Sequence, residues 1–141
     1  MYRKSSQKLF SASQETDYLA GHIQRIKLNC VDTARIDLNY VSVVSQHQIE
    51  HDLLMPLIND AFEFGIPDVE KPIIIFDLQL EDNRLTVCVH YKRNMAVFDE
   101  RTQATFLRLR RKLEALYPND YLLYRDYYLD NYLVFAQINL T

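Results

Sequence analysis

Asn59 and Asp60 place an amide and a carboxylate side by side within an otherwise apolar segment. A carboxylate is a good ligand for Mg²⁺, so Asp60 is a candidate metal ligand. On an arbitrary amphipathic helix, however, two such residues would simply lie on the solvated flank. The two interpretations differ in whether this segment belongs to a functional site.

Two histidines just before this segment have a spacing that could bind a metal. His47 and His51 are four residues apart, which would place both imidazoles on one face of a helix. No third ligand stands at a fixed spacing from them, as a zinc site requires. We therefore interpret both as solvated histidines in a polar connection, residues 45–51.

A helix must position Asn59 and Asp60, and the surrounding sequence predicts one over residues 52–64. Its apolar residues recur at helical spacing and form one stripe. Asp52 is suited to cap the first turn, and Gly65 is typical of the left-handed residue just past a helix end. Pro56 is early enough in the helix to be tolerated. The stripe consists of Leu53, Leu54, Leu57, Ile58, Ala61 and Phe62.

Residues 56–65, Pro-Leu-Ile-Asn-Asp-Ala-Phe-Glu-Phe-Gly, resemble the motif Pro-Leu-Val-Glu-Asn-Ala-Phe-Lys-His-Gly. That motif belongs to the ATP-binding domain of LytS-type sensor histidine kinases, which are GHKL ATPases. The resemblance implies that Asp60 stands where the family has its magnesium-holding Asn, and Asn59 where it has a Glu that can serve as base. Glu63 and Phe64 replace the Lys and the His. The scaffold residues are kept and the chemical ones are replaced.

A second helix, predicted over residues 14–29, supports the resemblance. Tyr18, Leu19, Ile23 and Ile26 share one face, and Ser13 suits the helix start. LytS-type kinases have a helix reading Tyr-Leu-x-x-Tyr-Ile-x-x-x-Lys-Leu at this distance before the ATP site. The matching residues are Tyr18, Leu19, Ile23, Lys27 and Leu28.

Five segments alternate between apolar and polar residues, as half-buried strands do. The second and third are joined across Asp82-Asn83 and the last two across Asp130-Asn131, so each pair is predicted to form a hairpin. The strands are predicted at residues 35–44, 73–80, 85–91, 121–128 and 132–140. The order of elements indicates an α+β fold, a two-layer α/β sandwich with a mixed sheet and the helices on one face.

A third helix is predicted over residues 102–116, with one buried stripe and one basic face. The basic face could bind phosphate, but a solvated helix face is the simpler interpretation. Residues 110–118 resemble the family's Val-Arg-Lys-Arg-Leu-Glu-Leu-Leu-Tyr-Pro. The resemblance thus covers residues 14–141, and residues 1–13 are predicted to be a tail or the remnant of an upstream helix. The stripe is Phe106, Leu109, Leu113 and Leu116, and the basic residues are Arg108, Arg110, Arg111 and Lys112.

The parts that bind the nucleotide in this family are replaced here. The resemblance places Tyr91 at the adenine-reading Asp or Asn, and Lys92 and Arg93 follow it as candidate phosphate contacts. The segment 102–107 stands for the family's Gly-x-Gly-Leu-x-Asn and contains no glycine. Side chains there would block the close backbone approach that phosphates need. No motif for the phosphoacceptor His is present.

The composition indicates one soluble globular domain. The 141 residues are 48% hydrophobic and 25% charged, and the net charge of −3 argues against a nucleic-acid partner. No apolar run approaches the ~20 residues of a membrane span, so we expect no direct membrane contact. With no signal peptide, Cys30 and Cys88 are expected to be buried reduced thiols in a cytoplasmic protein. The chain could also be the cytoplasmic part of a longer membrane protein.

Three hypotheses remain open from the sequence. The first is a degenerate, non-catalytic kinase-type domain without a cofactor, which acts as a binding or regulatory module in bacterial two-component signalling. Its partner would be a kinase protomer or a response regulator, and the tyrosines of residues 117–132 favour a homodimer. The second is a divergent but active sensor histidine kinase domain that binds ATP with Mg²⁺. The third is an unrelated α/β domain with chance matches.

Overall fold

The computed structural model describes residues 8–67, 69–93 and 98–140. Within them the chain forms three helices, five long strands and two strands of three residues. In chain order these are β1 (Leu9–Ser11), α1 (Ala12–Leu28), β2 (Arg35–Ser42), β3 (Gln48–Glu50), α2 (Met55–Gly65), β4 (Ile73–Glu81), β5 (Arg84–Lys92), α3 (Phe98–Leu116), β6 (Tyr121–Tyr128) and β7 (Asn131–Asn139).

The five predicted strands lie in one sheet, in the order β2-β4-β5-β7-β6. β2 runs parallel to β4, with Arg35 opposite Ile73, and the other three pairings are antiparallel. The sheet is therefore mixed, as predicted. β1 and β3 form a separate antiparallel pair, which the sequence did not predict.

The sheet is covered by helices on one face. Along β4, Ile74, Phe76 and Leu78 are buried while the residues between them are exposed or half-buried. β5 and β7 alternate in the same way. α1 contacts β2 and β4, α2 contacts β4 and β5, and α3 contacts β6. The predicted two-layer α+β architecture is confirmed, and within the described residues no helix covers the second face of the sheet.

The two hairpins turn where backbone with positive φ occurs. Asp82 and Asn83 have φ of 53° and 58°, as a two-residue turn of type I′ requires, so the predicted turn is confirmed. In the second hairpin Leu129 has φ of 56° and β7 already begins at Asn131. The turn therefore lies at Leu129-Asp130, one residue before the predicted position.

The N-cap of α1 lies two residues before Ser13, the serine expected to start the helix. Ser11 is the N-cap: its hydroxyl accepts from the backbone N–H of Gln14, whose side chain accepts from the N–H of Ser11. This capping box satisfies two backbone donors at the helix start. Ser13 instead bonds through its hydroxyl to the backbone of Ser45. Residues 1–13 were predicted to be a tail or the remnant of an upstream helix. Within them, residues 9–13 instead form β1 and the first two residues of α1.

Both predicted ends of α2 are wrong in detail. Asp52 has φ of 66° and forms a turn after β3, and the N-cap is Leu54, which makes no side-chain capping bond. Asp52 is held in that turn because its backbone N–H donates to the carboxylate of Glu15. Gly65 is the last residue of the helix, and no described glycine has positive φ. Pro56 lies in the first turn, where it is tolerated.

α3 begins four residues earlier than predicted, at Phe98, and buries two polar residues. Thr102 and Thr105 are buried with Leu109 and Leu113, which completes the helix face that packs on the domain. The predicted loop before this helix lies partly at residues 94–97, outside the described residues.

No helix in the described part of the chain is long and apolar enough to cross a bilayer. Cys30 and Cys88 are free thiols and are half-buried.

Candidate functional site

A cleft of about 320 Å³ opens between α2 and α3 and contains two of the predicted site residues. Asn59 and Asp60 line it from α2. Arg101, Thr105 and Arg108 line it from α3, because these positions are successive turns of one helix face. The cleft is bounded by Pro56 and Ala104.

Asp60 is half-buried in the cleft, and its pKa is raised to about 6. Burial is the largest cause, and the neighbouring carboxylate of Glu63 adds to it. A hydrogen bond with Thr105 and the charges of Arg101 and Arg108 oppose the rise without cancelling it. Asp60 is therefore the titratable group of this cleft, and it changes charge near neutral pH.

The side chain of Asn59 is directed toward α1. Its Oδ1 lies 3.1 Å from Nε2 of His22. This contact joins α2 to α1 at the surface. An amide cannot accept a proton as a base near neutral pH, so Asn59 supplies only hydrogen bonds.

Glu63 forms an ion pair with Arg101, one of the α3 residues that line the cleft. Its Oε2 lies 2.5 Å from Nη1 of Arg101. The guanidinium of Arg101 also lies over the ring of Phe64, 5.3 Å from its centroid. Arg101 is thus held by two residues of α2, and its charge is already partnered within the domain.

Tyr91 lies in the core beneath α2, not in the cleft. Its side chain is 1% exposed, and its ring meets that of Tyr132 edge to face at 5.4 Å. A Cβ atom on Gly65 would lie 3.0 Å from Cδ2 of Tyr91 and 3.3 Å from Cδ1 of Ile74. Burial raises the pKa of the Tyr91 hydroxyl well above its ordinary value. Tyr91 therefore fills the space that the glycine leaves where α2 meets β5.

Lys92 and Arg93 contact the turn between β6 and β7. Nζ of Lys92 lies 3.5 Å from Oδ2 of Asp130, and Nη2 of Arg93 donates to the carbonyl of Leu129 at 2.9 Å. The guanidinium of Arg93 lies 4.4 Å from the centroid of the Tyr127 ring. Neither residue is among the described residues that line the cleft. The structure therefore does not bring these two cations together with Asp60.

A second polar cluster, formed by Glu15, His51 and Asp52, ties α1 to the start of α2. The carboxylate of Glu15 is fully buried: Oε1 lies 2.9 Å from Nδ1 of His51, and Oε2 accepts from the N–H of Asp52 at 3.0 Å. The ring of His51 stacks on Phe10 at 4.1 Å. Burial raises the pKa of Glu15, and its hydrogen bonds partly offset this.

His51 is therefore not a solvated loop histidine, and that prediction was wrong. β3 lies between His47 and His51, so their spacing of four does not place them on one helix face. The ligand atoms of Glu15, His51 and Asp52 lie within 4.8 Å of one another. However, the imidazole faces Glu15 with Nδ1 and Asp52 with Nε2, so one ion could not use both contacts. Hydrogen bonding accounts for the cluster.

Sequence reasoning missed Glu15, Arg101 and Thr105. The signal for Glu15 was present, because it stands four residues before Leu19 and so shares its buried face. Arg101 and Thr105 lie at the start of α3, and only the packing of α3 against α2 identifies them.

No protein-family model and no curated protein matches the sequence. Solved structures do match its fold. The catalytic domain of the histidine kinase ThkA superposes with a TM-score of 0.60 at 12% identity, over 97% of each chain. The fold is that of a histidine kinase catalytic domain.

Two further histidine kinase structures superpose over nearly the whole chain. The kinase AdeS of Acinetobacter baumannii gives a TM-score of 0.60 at 8% identity, over 99% of this chain and 70% of that one. ThkA in complex with the response regulator protein TrrA gives 0.57 at 12% identity, over 96% of this chain and 42% of that one. At these identities the likeness establishes the fold alone.

Proposed function

We propose that this protein is a degenerate histidine-kinase-type domain of the LytS kind, which acts by binding other proteins in two-component signalling and does not transfer phosphate. The observation that carries the proposal is the burial of Tyr91 against Gly65. In the family that the sequence resembles, the position of Tyr91 carries the side chain that reads adenine.

The residues at this position do not fit a nucleotide base. An adenine reader must present a small hydrogen-bonding side chain to an open pocket. Tyr91 is 1% exposed, and a Cβ atom on Gly65 of α2 would lie 3.0 Å from its ring. Since protein interiors are close-packed, a base could enter only if this ring left the core.

The phosphate and metal positions also depart from what Mg-ATP requires. Residues 92–107 contain no glycine, so the backbone amides there cannot approach phosphates closely. Arg101 is paired with Glu63, and Asn59 cannot act as a base. Phosphoryl transfer depends on positioning and charge neutralisation. We propose that both have been lost from this domain.

A protein partner remains the natural ligand class for a domain with this fold. ThkA, which shares the fold, is found in complex with the response regulator protein TrrA. We propose a kinase protomer or a response regulator as the partner here. A nucleic-acid partner is disfavoured by the net charge of −3.

The second candidate function is a divergent, active ATP-binding kinase domain. It is favoured by the cleft itself, in which the carboxylate of Asp60 lies near Arg101 and Arg108. A carboxylate can hold Mg²⁺ and arginines can hold phosphate oxygens. The two candidates differ in one property, the affinity for Mg-ATP.

Thermal unfolding with and without nucleotide distinguishes them. A ligand at ~1,000 times its dissociation constant stabilises a fold by about 4 kcal/mol, which raises the melting temperature of a domain of this size by more than ~5 °C. We expect a shift below about 1 °C with millimolar Mg-ATP, and the same result with Mg-GTP as the specificity control.

An Asp60→Ala variant makes the test specific for the cleft. A large shift with Mg-ATP that disappears in this variant, together with heat of binding by calorimetry, would establish the active kinase domain instead. The catalytic domain of ThkA, measured in the same way, serves as the reference for this fold.

A further inference from the structure

β6 forms an exposed edge of the sheet. Its outer side, which is mostly apolar, consists of Leu122, Tyr124, Asp126 and Tyr128. In the described part of the chain β6 pairs with β7 alone. Tyr124 is 52% exposed and Tyr128 74%, and Leu122 is exposed on the same side. Tyr124 is held in place because its ring stacks on that of Phe135 at 5.1 Å. Aromatic residues of this kind are enriched at protein interfaces.

The backbone groups on this edge can be assigned. The N–H of Tyr127 donates to the carboxylate of its neighbour Asp126 at 2.9 Å, so it points away from β7. Because hydrogen-bonding direction alternates along an antiparallel strand, Tyr121, Leu123 and Arg125 also direct their backbone groups outward. β6 therefore offers a second row of donors and acceptors, which a further antiparallel strand could bond.

The outer side chains of β6 are complementary to themselves in one antiparallel register. When Arg125 stands opposite Arg125 of a second copy, Tyr124 stands opposite Asp126, and Leu122 opposite Tyr128. Each pair occurs twice by symmetry. A phenol can donate to a carboxylate, and a leucine packs well on an aromatic ring. The neighbouring register, with Tyr124 opposite itself, would place Leu122 opposite a carboxylate.

We infer that two copies of this domain associate through antiparallel pairing of their β6 strands, which joins their sheets into one ten-stranded sheet. On pairing, the N–H of Tyr127 bonds to the second copy, and the carboxylate of Asp126 is released to accept from Tyr124 of that copy. The contact does not depend on whether the domain binds a nucleotide.

The two arginines that face each other do not prevent this contact. The guanidinium of Arg125 lies over the ring of Phe106 at 5.3 Å and 3.4 Å from the hydroxyl of Thr102. Both partners belong to α3, so each charge is directed toward its own domain and away from the symmetry axis.

The other edge of the sheet is less suited to pairing. β2 carries an ion pair between Arg35 and Asp37 at 3.1 Å, and Asn39 donates to Asp77 on the same face. Charged side chains are a common protection of sheet edges against association. β6 has only Asp126 on its outer side.

Sedimentation velocity between about 5 and 200 µM tests the association. We expect a dimer in this range, and a dimer at least about tenfold weaker for Leu122→Lys. The matched control is Leu28→Lys, which changes a leucine that is 84% exposed at the end of α1 and should dimerise like the wild type. A wild type that stays monomeric, or equal weakening by both variants, overturns the inference. Equal melting temperatures confirm that both variants fold.

Disulfide cross-linking tests the register independently. In a background with Cys30→Ser and Cys88→Ser, the double variant Leu122→Cys with Tyr128→Cys should form a covalent dimer on oxidation. Leu122→Cys alone should not, because residue 122 would lie about six residues along the strand from its own copy, roughly 20 Å. Cross-linking of the single variant to the same extent as the double would overturn the proposed register and with it the proposed contact. If a different protein pairs with this edge, the purified chain will remain monomeric and will not cross-link.

Discussion

A methyl group on Gly65 would lie 3.0 Å from Cδ2 of Tyr91, closer than side-chain carbons normally approach. The last turn of α2 therefore sits so close to β5 that a side chain at residue 65 would require the Tyr91 ring to move by a few tenths of an ångström. Glycine is favoured at position 65 by this close approach and not by a left-handed backbone, since its φ is not positive. The same contact fixes the position of α2, which carries Asn59 and Asp60.

Gly65→Ala should destabilise the domain by about 1–3 kcal/mol, because the added methyl group overpacks the core. Urea unfolding followed by circular dichroism measures this. Gly21→Ala is the matched control: a Cβ there would meet only the end of the flexible Arg25 side chain at 3.4 Å. In the middle of α1 this change should stabilise by about 0.5–1 kcal/mol.

The double variant Gly65→Ala with Tyr91→Leu tests the contact itself. If the ring of Tyr91 is the obstacle, the two changes together should cost less than their sum. Strictly additive losses would show that the methyl group is excluded by other atoms.

Asp60→Asn should stabilise the domain at pH 7.5 and leave it unchanged below about pH 4. The pKa of Asp60 is about 6 in the folded protein against 3.8 ordinarily, so the folded state holds this proton more tightly than the unfolded state. The stability that this group contributes is therefore fully present below its ordinary pKa of 3.8. It is lost as the pH rises through the folded-state pKa of about 6. We expect about 1–2 kcal/mol at pH 7.5 after solvent screening. If the difference in stability between Asp60→Asn and the wild type were the same at both pH values, the raised pKa would be contradicted.

Thr105→Val should raise the pKa of Asp60 further, because the hydrogen bond from Thr105 favours the ionised form. Arg108→Gln should act in the same direction by removing a nearby positive charge. Arg111→Gln, on the exposed side of α3, is the control and should leave it unchanged. Titration of the Asp60 carboxyl carbon by NMR measures the pKa in each of the three variants. A fall in this pKa in Thr105→Val or Arg108→Gln would contradict the prediction.

Glu15→Ala should cost about 2–4 kcal/mol, because it leaves the N–H of Asp52 and the ring of His51 without their buried acceptor. Glu15→Gln keeps an acceptor and should cost less. Glu63→Ala removes an exposed ion pair with Arg101 and should cost less than about 1 kcal/mol. Chemical denaturation compares the three, and equal losses for Glu15→Ala and Glu63→Ala would argue against a structural function of the buried cluster.

Most of the sheet followed from the sequence because its long strands are half-buried. Residues such as Phe76, Leu78 and Leu80 alternate with polar ones, and that alternation requires no knowledge of the partner strand. β1 and β3 have three residues each, too few for a pattern, and they exist only because each pairs with the other. Asp52 was misassigned for a related reason, since its backbone N–H donates to Glu15, an acceptor 37 residues away in the chain.

The candidate site was predicted only in part. Asn59 and Asp60 are neighbours in the chain, so a motif can identify them. Arg101 and Thr105 line the cleft because α3 packs on α2. A pattern of neighbouring residues in the sequence carries no information about which helices pack together. The sequence placed Tyr91 at the site by resemblance, but its burial follows from the fit between β5 and Gly65.

The order of the sheet has a consequence for how the chain folds. β4 with β5, and β6 with β7, are joined by two-residue turns, so each pair forms from local contacts. β2 instead joins β4 in parallel after a crossover that contains β3 and α2. The entropy of closing this long crossover is lost before the contacts between β2 and β4 form, so we expect β2 to dock last. The amides of β2 should therefore exchange with deuterium before those of β5 and β7. The two hairpins would then be a folding core onto which the N-terminal part of the domain is added.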